Sequence, residues 1–483
     1  MIIQGLKNEW ELVIGLEIHA QLKTKSKLFS YSSTNFGEEN NAQVSYVDAA
    51  MPGMLPVINE KCVELAVMAG LAINGKINEL SIFDRKNYFY PDSPQGYQIS
   101  QLFHPIVTDG SLEILDNDGE KQIVKINRIH IEQDAGKSIH DQSPTETFID
   151  LNRVGMPLIE IVTDPDFSNP TQVEKFMRKL RDILRYTDVC DGDLEKGSMR
   201  CDANVSVRKK GAKELGTRVE VKNINSFKNI TKAIITEAHR QVALLENNQE
   251  IDQETRLYDA NLDQTKSMRK KEEAYDYRYF PDPDLLPLRV SPEFIAEVKS
   301  DLPELPDQKK ERYIKEFSIT AYDADVITAD RDIAEFFEYI AQKTNPKLAV
   351  NWICVELFSR LNKKGVSFEE LPIKVAHFVS LLQLIDSAHI SGTIAKDVLD
   401  MMFENDEDPK AIVERNNWVQ VSDAAEIEKY VEQVLASNPE KVAEFRAGKD
   451  RLFGFFVGQI MKISEGKANP QSINEILMKK LQH

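Results

Sequence analysis

The first part of the chain alternates apolar and polar residues in short runs, which Gly, Pro, Asn and Asp separate. This alternation is typical of strands with one face in a core, because successive side chains of a strand point to opposite faces. Beyond about residue 290 apolar residues instead recur every four positions, in two clear runs: Ile353, Leu357 and Leu361, and Ile394, Val398 and Met402. Such spacing is what amphipathic helices require, so it predicts helices here. We therefore predict an α+β protein in which an antiparallel sheet precedes an all-helical part.

The chain has 483 residues, which is more than one hydrophobic core usually serves. We predict three domains, with residues 1–292 forming the sheet-rich domain, 293–408 a helical domain and 409–483 a small helical tail. Residues 291–307 contain three prolines and are predicted to form a connection. Asn438-Pro439 and Asn469-Pro470 each predict a helix that begins with an Asn cap and Pro at its first position.

Ionisable residues share one face on several of the predicted strands. Glu17 and His19 alternate with Leu16 and Ile18, and Glu160 interrupts an apolar run. The same alternation places His130, Glu132 and Asp134 on one face, and Arg200, Asp202, Asn204, Ser206 and Arg208 on another. The spacing leaves two interpretations open, a solvated sheet face and a site for a hard cation such as magnesium with nucleotide phosphates. For Arg218, Glu220 and Lys222 we favour the solvated face.

Residues 83–92 mix aromatic, cationic and turn-forming side chains. We predict an exposed functional loop here, in which Arg85 and Lys86 bind phosphate between aromatic walls. Residues 276–284 have the same mixed character, and the same prediction applies to them more weakly.

Composition excludes several classes of protein. The formal net charge is −18, so any contact with nucleic acid must be local. The four cysteines form no C-x-x-C pair, which argues against a structural zinc site and a disulfide framework. The sequence contains neither a complete Walker A motif nor a serine-hydrolase, zincin or glutaminase motif. It has no apolar stretch long enough to span a membrane, and its strand-like start leaves no room for a signal peptide, so we expect a cytoplasmic protein.

Together, several segments closely resemble the B subunit of the aspartyl/glutamyl-tRNA(Asn/Gln) amidotransferases, including their archaeal glutamyl-only relatives. The segments that carry the resemblance are VIGLEIH (13–19), DRKNYFYPD (84–92), EQDAGK (132–137), LIEIV (158–162), GSMRCDANVS (197–206), YRYFPDP (277–283) and GFFVGQIMK (454–462). The resemblance implies a catalytic domain whose fold is similar to glutamine synthetase, followed by a helical domain and a tail that approaches tRNA.

The resemblance also implies the chemistry and the site residues. The expected activity is ATP-dependent phosphorylation of the side-chain carboxylate of Glu or Asp on mischarged tRNA, followed by amidation. The family's metal ligands correspond to Glu17, His19, Glu132 and Glu160, with Mg²⁺ as the expected ion and ATP as co-substrate. Arg85, Lys86, Arg200 and Asp202 are the expected catalytic residues.

The resemblance further implies partners. They are aminoacyl-tRNA, an amidase subunit that supplies ammonia and a small third subunit. The last two are the family's A and C partners, and with this chain they are expected to form a heterotrimer.

Two other functions remain open at this point. A ligase of glutamine synthetase type would use the same sheet on a free amino acid, but it would not need the helical part of the chain. A non-catalytic protein that binds tRNA or serves assembly is the second alternative. Carboxylates on strands count against it, because they would repel a phosphate backbone unless a metal intervened.

The tail differs in charge from the rest of the chain. From residue 441 to 483 there are eight Lys or Arg and four Asp or Glu, although the whole chain is acidic. Such asymmetry between segments suggests a polyanionic partner. The residues predicted to contact tRNA phosphates are Arg446, Lys449, Arg451, Lys462 and Lys467.

Overall fold

The structure is a computed structural model of the 483-residue chain. It describes residues 1–115, 119–224, 226–270, 277–418, 424–464, 468 and 470–482. The chain divides into two compact units, residues 1–305 and 306–483. The predicted further boundary between residues 408 and 409 stays a prediction.

The first unit contains a large sheet, as the alternating pattern predicts. The strands in its described residues are β1 (Ile2–Gln4), β2 (Glu9–Gln21), β3 (Lys76–Ile77), β4 (Leu80–Asn87), β5 (Tyr97–His104), β6 (Val107–Leu115), β7 (Lys121–Gln133), β8 (Lys137–Ile139), β9 (Phe148–Asp150), β10 (Pro157–Thr163), β11 (Met199–Lys209), β12 (Val219–Lys222), β13 (Glu254–Asp259), β14 (Gln264–Lys270), β15 (Phe280–Pro281) and β16 (Leu288–Arg289).

The main sheet has ten strands in the order β14-β13-β12-β11-β2-β10-β7-β6-β3, with β1 added to β2. Its neighbouring strands are antiparallel except for the parallel pair β12 and β13. A smaller sheet joins β15, β4 and β16, with β5 paired to β4, and β8 pairs with β9. The central strands β11, β2, β10 and β7 therefore lie side by side, and their shared faces decide which side chains meet.

Helices pack against the apolar face of the main sheet. They are α1 (Glu60–Ala72), α2 (Pro170–Tyr186) and α3 (Phe227–Glu246), and α4 (Pro292–Ser300) packs on α1. At the start of α2 the Asn169 side chain accepts a hydrogen bond from the backbone of Thr171, and the Gln172 side chain accepts one from the backbone of Asn169. The buried face of α2 includes Val173, Phe176 and Leu180. These residues join Leu16, Ile18 and Ala20 of β2 in one hydrophobic core. With one face so covered, the polar residues of the same strands all lie on the opposite face.

The stretch predicted to be only a connection contains a helix. Within residues 291–307, Ser291 accepts a hydrogen bond from the backbone of Phe294, and Pro292 occupies the first turn of α4. A Ser-Pro pair is a start signal for a helix, because the missing amide of Pro would be unpaired there in any case. Burial of Val298 against the core of the first unit then holds α4 in place.

The second unit is helical in its described residues. Its α-helices are α5 (Pro306–Phe317), α6 (Ala321–Thr328), α7 (Arg331–Ala341), α8 (Pro346–Asn351), α9 (Phe358–Lys364), α10 (Val375–Asp386), α11 (Gly392–Asn405), α12 (Pro409–Arg415), α13 (Ala424–Ala436), α14 (Pro439–Arg446), α15 (Leu452–Ile463) and α16 (Pro470–Gln482). A π-helical turn, Trp352–Leu357, joins α8 to α9, and a short 3-10 helix spans Phe368–Glu370.

The two sets of apolar residues spaced four positions apart, which predicted helices, both lie on buried faces of helices. The first run, Ile353, Leu357 and Leu361, lies on the continuous segment of α8, the π-helical turn and α9, and the second lies on α11. Helices also begin at Pro439 and Pro470, as predicted. The capping hydrogen bond expected of Asn438 is absent, since its amide donates to the carbonyl of Val434 instead. Asn469 lies outside the described residues.

None of the helices in the described part of the chain combines the length and the apolar character that a membrane crossing demands.

A buried ion pair fixes the loop after β2. Lys27 Nζ lies 3.2 Å from Asp48 Oδ2, and both side chains are buried. The same carboxylate accepts a hydrogen bond from the backbone of Ser45, while Lys27 also donates to the carbonyl of Gln43. Removing one partner from a buried pair is costly, because it leaves an uncompensated charge without water.

We therefore expect Asp48→Asn to lower the free energy of unfolding by about 3–5 kcal/mol, as measured by chemical denaturation. The matched control is Asp188→Asn, whose carboxylate pairs with Lys23 at 2.6 Å on the exposed surface. Exposed pairs contribute at most about 1 kcal/mol, so the control should change little. Equal effects of the two substitutions would contradict the structural role of the buried pair.

Candidate functional site

The ionisable residues of the central strands share one face of the main sheet, which we call the polar face. In β2, Leu16, Ile18 and Ala20 are fully buried, whereas Glu17 and His19 on the opposite face are only partly covered. The register places His19 opposite both Glu160 of β10 and Arg200 of β11, and Glu17 opposite Asp202. The predicted alternation of faces is confirmed for these strands.

The centre of the polar face is a cluster of two carboxylates and two imidazoles. Glu160 lies directly across from His19 on one side and from His130 of β7 on the other. Its Oε2 is 3.5 Å from His19 Nε2 and 3.1 Å from His130 Nε2. Glu132 is 3.3 Å from His19 and 3.4 Å from His130 through its two carboxylate oxygens. Each carboxylate is therefore contacted by both imidazoles.

The carboxylates and imidazoles of the cluster shift one another's pKa values. Burial lowers the pKa of His19, but hydrogen bonds and charges from Glu132 and Glu160 outweigh this and raise the pKa to about 10. For His130 the same two carboxylates raise the pKa to about 9 against burial. Burial raises the pKa of Glu132, yet the imidazoles lower it to about 2, and they also lower the pKa of Glu160. At neutral pH the cluster therefore holds two anions balanced by two imidazolium cations.

Three of the four predicted metal ligands come together. His19, Glu132 and Glu160 each offer one ligand atom, and these atoms lie within 4.8 Å of one another. Carboxylate oxygens suit hard divalent cations, and an ion with charge +2 could replace the two protons that now balance Glu132 and Glu160. Among the residues that the structure describes, His130 Nδ1 is buried and has no hydrogen-bond partner. These residues thus fit a divalent ion.

Glu17 lies on the polar face but outside this group of three. Its carboxylate accepts a hydrogen bond of 2.9 Å from Asn204 Nδ2, and Asp202 is its neighbour across the sheet. Its role as a ligand stays a prediction.

His130 belongs to the cluster but was not among the predicted ligands. The alternation of β7 already placed it on the face of Glu132, so the signal was present in the sequence. What could not be read was the register of β10, which brings Glu160 opposite His130.

The exposed loop predicted over residues 83–92 is confined to residues 88–92. Residues 83–87 belong to β4, and Phe83 and Asp84 are buried. The Asp84 carboxylate accepts hydrogen bonds from the backbone amides of Leu102 and Phe103, which compensates its burial. Phe89, Tyr90 and Pro91 are exposed. A strand is possible here because β5 and β15 supply backbone partners that the local sequence does not reveal.

Lys86 of β4 interacts electrostatically with the carboxylates of the cluster. Its Nζ lies 5.0 Å from the centre of the Tyr277 ring. Burial lowers the pKa of Lys86, but Tyr279, Glu132 and Glu160 outweigh this and raise it. Burial also raises the pKa of the Tyr279 hydroxyl to about 12. Lys86 is therefore a retained cation beside the two central carboxylates.

The other predicted catalytic residues have carboxylate or ammonium partners. Arg85 donates to Asp282 and Asp284, at 2.8 Å in each case, and stacks on Tyr97 at 4.2 Å. Arg200 donates to Asp134 at 3.0 Å. Asp202 accepts a hydrogen bond of 2.6 Å from Lys222, which also lies 3.3 Å from Glu220. The catalytic roles of Arg85, Lys86, Arg200 and Asp202 stay predictions.

The residues of the tail predicted to bind tRNA are exposed where they are described. Arg446 donates to the carbonyls of Leu481 and Lys480 at the end of α16, and Lys449 lies 3.2 Å from Glu444. Arg451 precedes α15 and Lys462 lies on its last turn. Lys467 lies outside the described residues.

Comparison with known proteins gives two family matches and many close relatives. The GatB/GatE catalytic domain matches residues 12–296, and the GatB domain matches residues 335–481. A protein of Rickettsia rickettsii (strain Iowa), named as the B subunit of aspartyl/glutamyl-tRNA(Asn/Gln) amidotransferase, is 58% identical over 479 residues, 99% of each chain. Proteins of the same name from Rickettsia africae (strain ESF-5) and Rickettsia prowazekii (strain Madrid E) are 58% and 56% identical over the same share.

The state of the cluster predicts that divalent ions compete with protons. Because the pKa values of His19 and His130 are raised to about 10 and 9, both imidazoles carry protons at neutral pH. A bound ion must displace the proton of any imidazole it coordinates. We therefore expect Mn²⁺ or Mg²⁺ to release protons on binding and to bind more tightly as pH rises from about 7 to 9. Titration calorimetry in buffers of different ionisation enthalpy measures both quantities.

The control is His19→Gln, which should bind the ion more weakly and release fewer protons. An affinity that is independent of pH, with no proton release, would contradict the assignment of His19 as a ligand.

Proposed function

The chain belongs to the GatB/GatE family, that of the B subunit of the aspartyl/glutamyl-tRNA(Asn/Gln) amidotransferases, and we propose from this membership that it activates mischarged aminoacyl-tRNA for amidation. In the proposed reaction ATP phosphorylates the side-chain carboxylate of Glu or Asp esterified to tRNA. Ammonia then converts the acyl phosphate to the amide, which yields Gln-tRNA or Asn-tRNA.

Activation is necessary because oxide is too poor a leaving group for ammonia to displace from a carboxylate. In the first step a carboxylate oxygen forms a bond to the γ-phosphorus of ATP, and the bond from that phosphorus to the bridging oxygen of ADP breaks. In the second step ammonia attacks the acyl carbon, phosphate leaves and the nitrogen loses a proton. The protein therefore mainly needs to position anions and stabilise their charge.

The cluster of His19, Glu132 and Glu160 is the observation that carries this proposal. These residues would hold Mg²⁺, with Glu17 nearby on the same face. When bound, the ion would neutralise charge on the phosphates of ATP. The chain's own contribution is to hold the ligands on neighbouring strands of one sheet.

The charged residues predicted to be catalytic differ in how they could act. Glu132 and Glu160 help to raise the pKa of Lys86, so Lys86 stays a cation, and we propose that it approaches the same anionic group as the ion. Arg85 forms ion pairs with Asp282 and Asp284, so we propose that its main role is to hold residues 280–284 against β4. Asp202 contacts Lys222 and lies across from Glu17, so it is suited to hold the side chain of Lys222 in position on the polar face.

The source of ammonia must be another chain, because the sequence contains no glutaminase nucleophile motif. We propose that an amidase partner is that source and that a small third partner completes a heterotrimer, in keeping with relatives named as a B subunit. A cytoplasmic location follows from the proposed substrate, aminoacyl-tRNA. The match of residues 335–481 to the GatB domain counts against a ligase that acts on a free amino acid.

Replacing one carboxylate of the cluster tests the proposal. We expect Glu160→Gln to reduce ATP-dependent formation of acyl phosphate, and therefore amidation, by at least about 100-fold, the loss typical of one preorganised electrostatic group. The assay supplies the complex with mischarged Glu-tRNA and γ-labelled ATP, withholds ammonia and measures labelled acyl phosphate. Glutamine hydrolysis by the amidase partner should remain measurable.

The matched control is Glu174→Gln, which removes a partly exposed carboxylate of α2 whose partner among the described residues is Arg178. This variant should form acyl phosphate at the normal rate. Near-normal activity of Glu160→Gln at low magnesium would overturn the assignment of the cluster.

The tail is proposed to bind tRNA through Lys449, Arg451, Lys462 and Lys467. Arg446 is less suited to this role, because its guanidinium caps the carbonyls at the end of α16. The aromatic residues of α15 serve the fold instead, since Phe456 is buried in the core of α13, α15 and α16.

We expect Lys449→Ala, Arg451→Ala and Lys462→Ala in combination to weaken binding of tRNA while leaving binding of ATP unchanged. Each lost phosphate contact should flatten the salt dependence by about one unit of log–log slope. Binding is measured at two or more salt concentrations, with Lys441→Ala as the control because Lys441 packs 3.5 Å above the Phe455 ring. Unchanged affinity and slope in the triple variant would eliminate this surface as the tRNA contact.

A further inference from the structure

Two arginines meet a single carboxylate at the edge of the polar face. Asp134 Oδ2 accepts hydrogen bonds from Arg153 Nε at 3.1 Å, from Arg153 Nη2 at 2.6 Å and from Arg200 Nη2 at 3.0 Å. Asp134 is largely covered, with 12% of its side chain exposed, whereas Arg153 and Arg200 are 45% and 39% exposed. This carboxylate thus holds both guanidinium groups through hydrogen bonds, and both groups remain accessible to solvent.

The arginine pair lies beside the cation cluster. Asp134 comes directly after β7, two residues beyond Glu132. Arg200 lies on β11 opposite His19, so the bridge from Arg200 to Asp134 spans β2 and β10, the strands that carry His19 and Glu160. An anion held by the two arginines would therefore be a near neighbour of an ion held by His19, Glu132 and Glu160.

The backbone around the pair is firmly held. The amide of Asp134 donates to the carbonyl of Met156 at 2.9 Å, and the amide of Gly155 donates back to the carbonyl of Asp134 at 3.1 Å. Gly155 has φ +77°, and a Cβ there would lie 2.8 Å from Asp48 Oδ1, so the turn that carries Arg153 requires glycine. Such anchoring means that the two guanidinium groups need little reorganisation to receive a ligand.

The charges of this group do not balance. Two guanidinium cations share one carboxylate, and among the described residues neither arginine has a hydrogen bond to another acid. The nearby acids are already engaged, Asp202 with Lys222 and Glu132 with the imidazoles of His19 and His130. Arg200 Nε and Nη1 and Arg153 Nη1 have no hydrogen-bond partner among the described residues. A net positive charge with free, planar donors is suited to a tetrahedral oxyanion.

We propose that Arg153 and Arg200, held in place by Asp134, bind the phosphoryl group that ATP transfers to the substrate carboxylate. This inference rests on the proposed function and assigns Arg153 and Asp134 to it. The arginines would contact the equatorial oxygens of the group as the bond to ADP breaks and the bond to the carboxylate oxygen forms. Asp134 acts as a positioning residue, because it touches the arginines and not the reacting atoms.

The test compares ligands that differ by the γ-phosphoryl group. In the complex with its partner subunits, the affinities for ADP and for a β,γ-imido analogue of ATP are measured with Mg²⁺ present. We expect Arg153→Met and Arg200→Met each to weaken binding of the analogue by about tenfold or more, since a hydrogen bond to a charged group contributes that much. Binding of ADP should change less than about twofold.

Arg153→Lys keeps the charge but loses the paired donors, and we expect an intermediate effect on the analogue. Arg208→Met is the matched control, because Arg208 lies on the same strand and makes a similar ion pair with Glu11 at 2.9 Å. Asp134→Asn should weaken binding of the analogue less than Arg153→Met does, because both arginines remain, but it should form acyl phosphate about tenfold more slowly, because the arginines lose their shared anchor. A structural role alone would not separate binding from rate in this way.

The outcomes separate the two proposals. If the arginine variants weaken ADP and the analogue equally, or raise only the KM for aminoacyl-tRNA, the phosphoryl site is wrong while the proposed function stands. If the unmodified complex itself binds neither nucleotide, the proposed function fails. Loss of folding in one methionine variant is detected by its melting temperature, and the lysine variant then decides.

Discussion

The structure of the site depends on the repulsion between two carboxylates that lie close together on the polar face. Glu132 and Glu160 come from neighbouring strands, and each contacts both His19 and His130. Two anions at this separation cannot both stay charged in a covered site unless cations compensate them. Protons on the imidazoles supply that compensation, as the raised pKa values of both histidines indicate. A divalent ion would supply the same charge with stronger bonds to the carboxylate oxygens.

This constraint explains the arrangement of charge over the rest of the polar face. Lys222 is shared by Asp202 and Glu220, Lys86 lies beside the cluster, and Asp134 is shared by Arg153 and Arg200. Each charged group is thus held by a partner before any substrate arrives. Preorganised charge stabilises a developing transition state without the cost of reorienting water. An enzyme that transfers a phosphoryl group between two anionic partners needs this more than it needs a nucleophile.

The two units differ in what their residues can contribute. The described metal-binding and phosphate-binding candidates all lie in the first unit, on strands of the sheets or, for Arg153, on a turn beside them, and a large core holds this unit together. The candidate contacts to tRNA lie in the second unit, on the surface of helices around a small core of their own. A rigid sheet suits chemistry that depends on distances of a few tenths of an ångström. An exposed basic surface suits a phosphate backbone, which attracts cations without strict geometry.

The sequence alone determined the faces of the strands, the helical period and the family. Alternation along a strand placed Glu17 with His19, and Glu132 with His130, whatever the partner strands are, and the family resemblance implied that Glu17, His19, Glu132 and Glu160 bind one ion. Only the tertiary structure decided which of them meet, since strand order and register depend on distant segments. It drew in His130, left Glu17 beside Asn204, turned residues 83–87 into a strand and joined Arg153 and Arg200 through Asp134. Local periodicity fixes the direction of a side chain, whereas its neighbours across the sheet come from other parts of the chain.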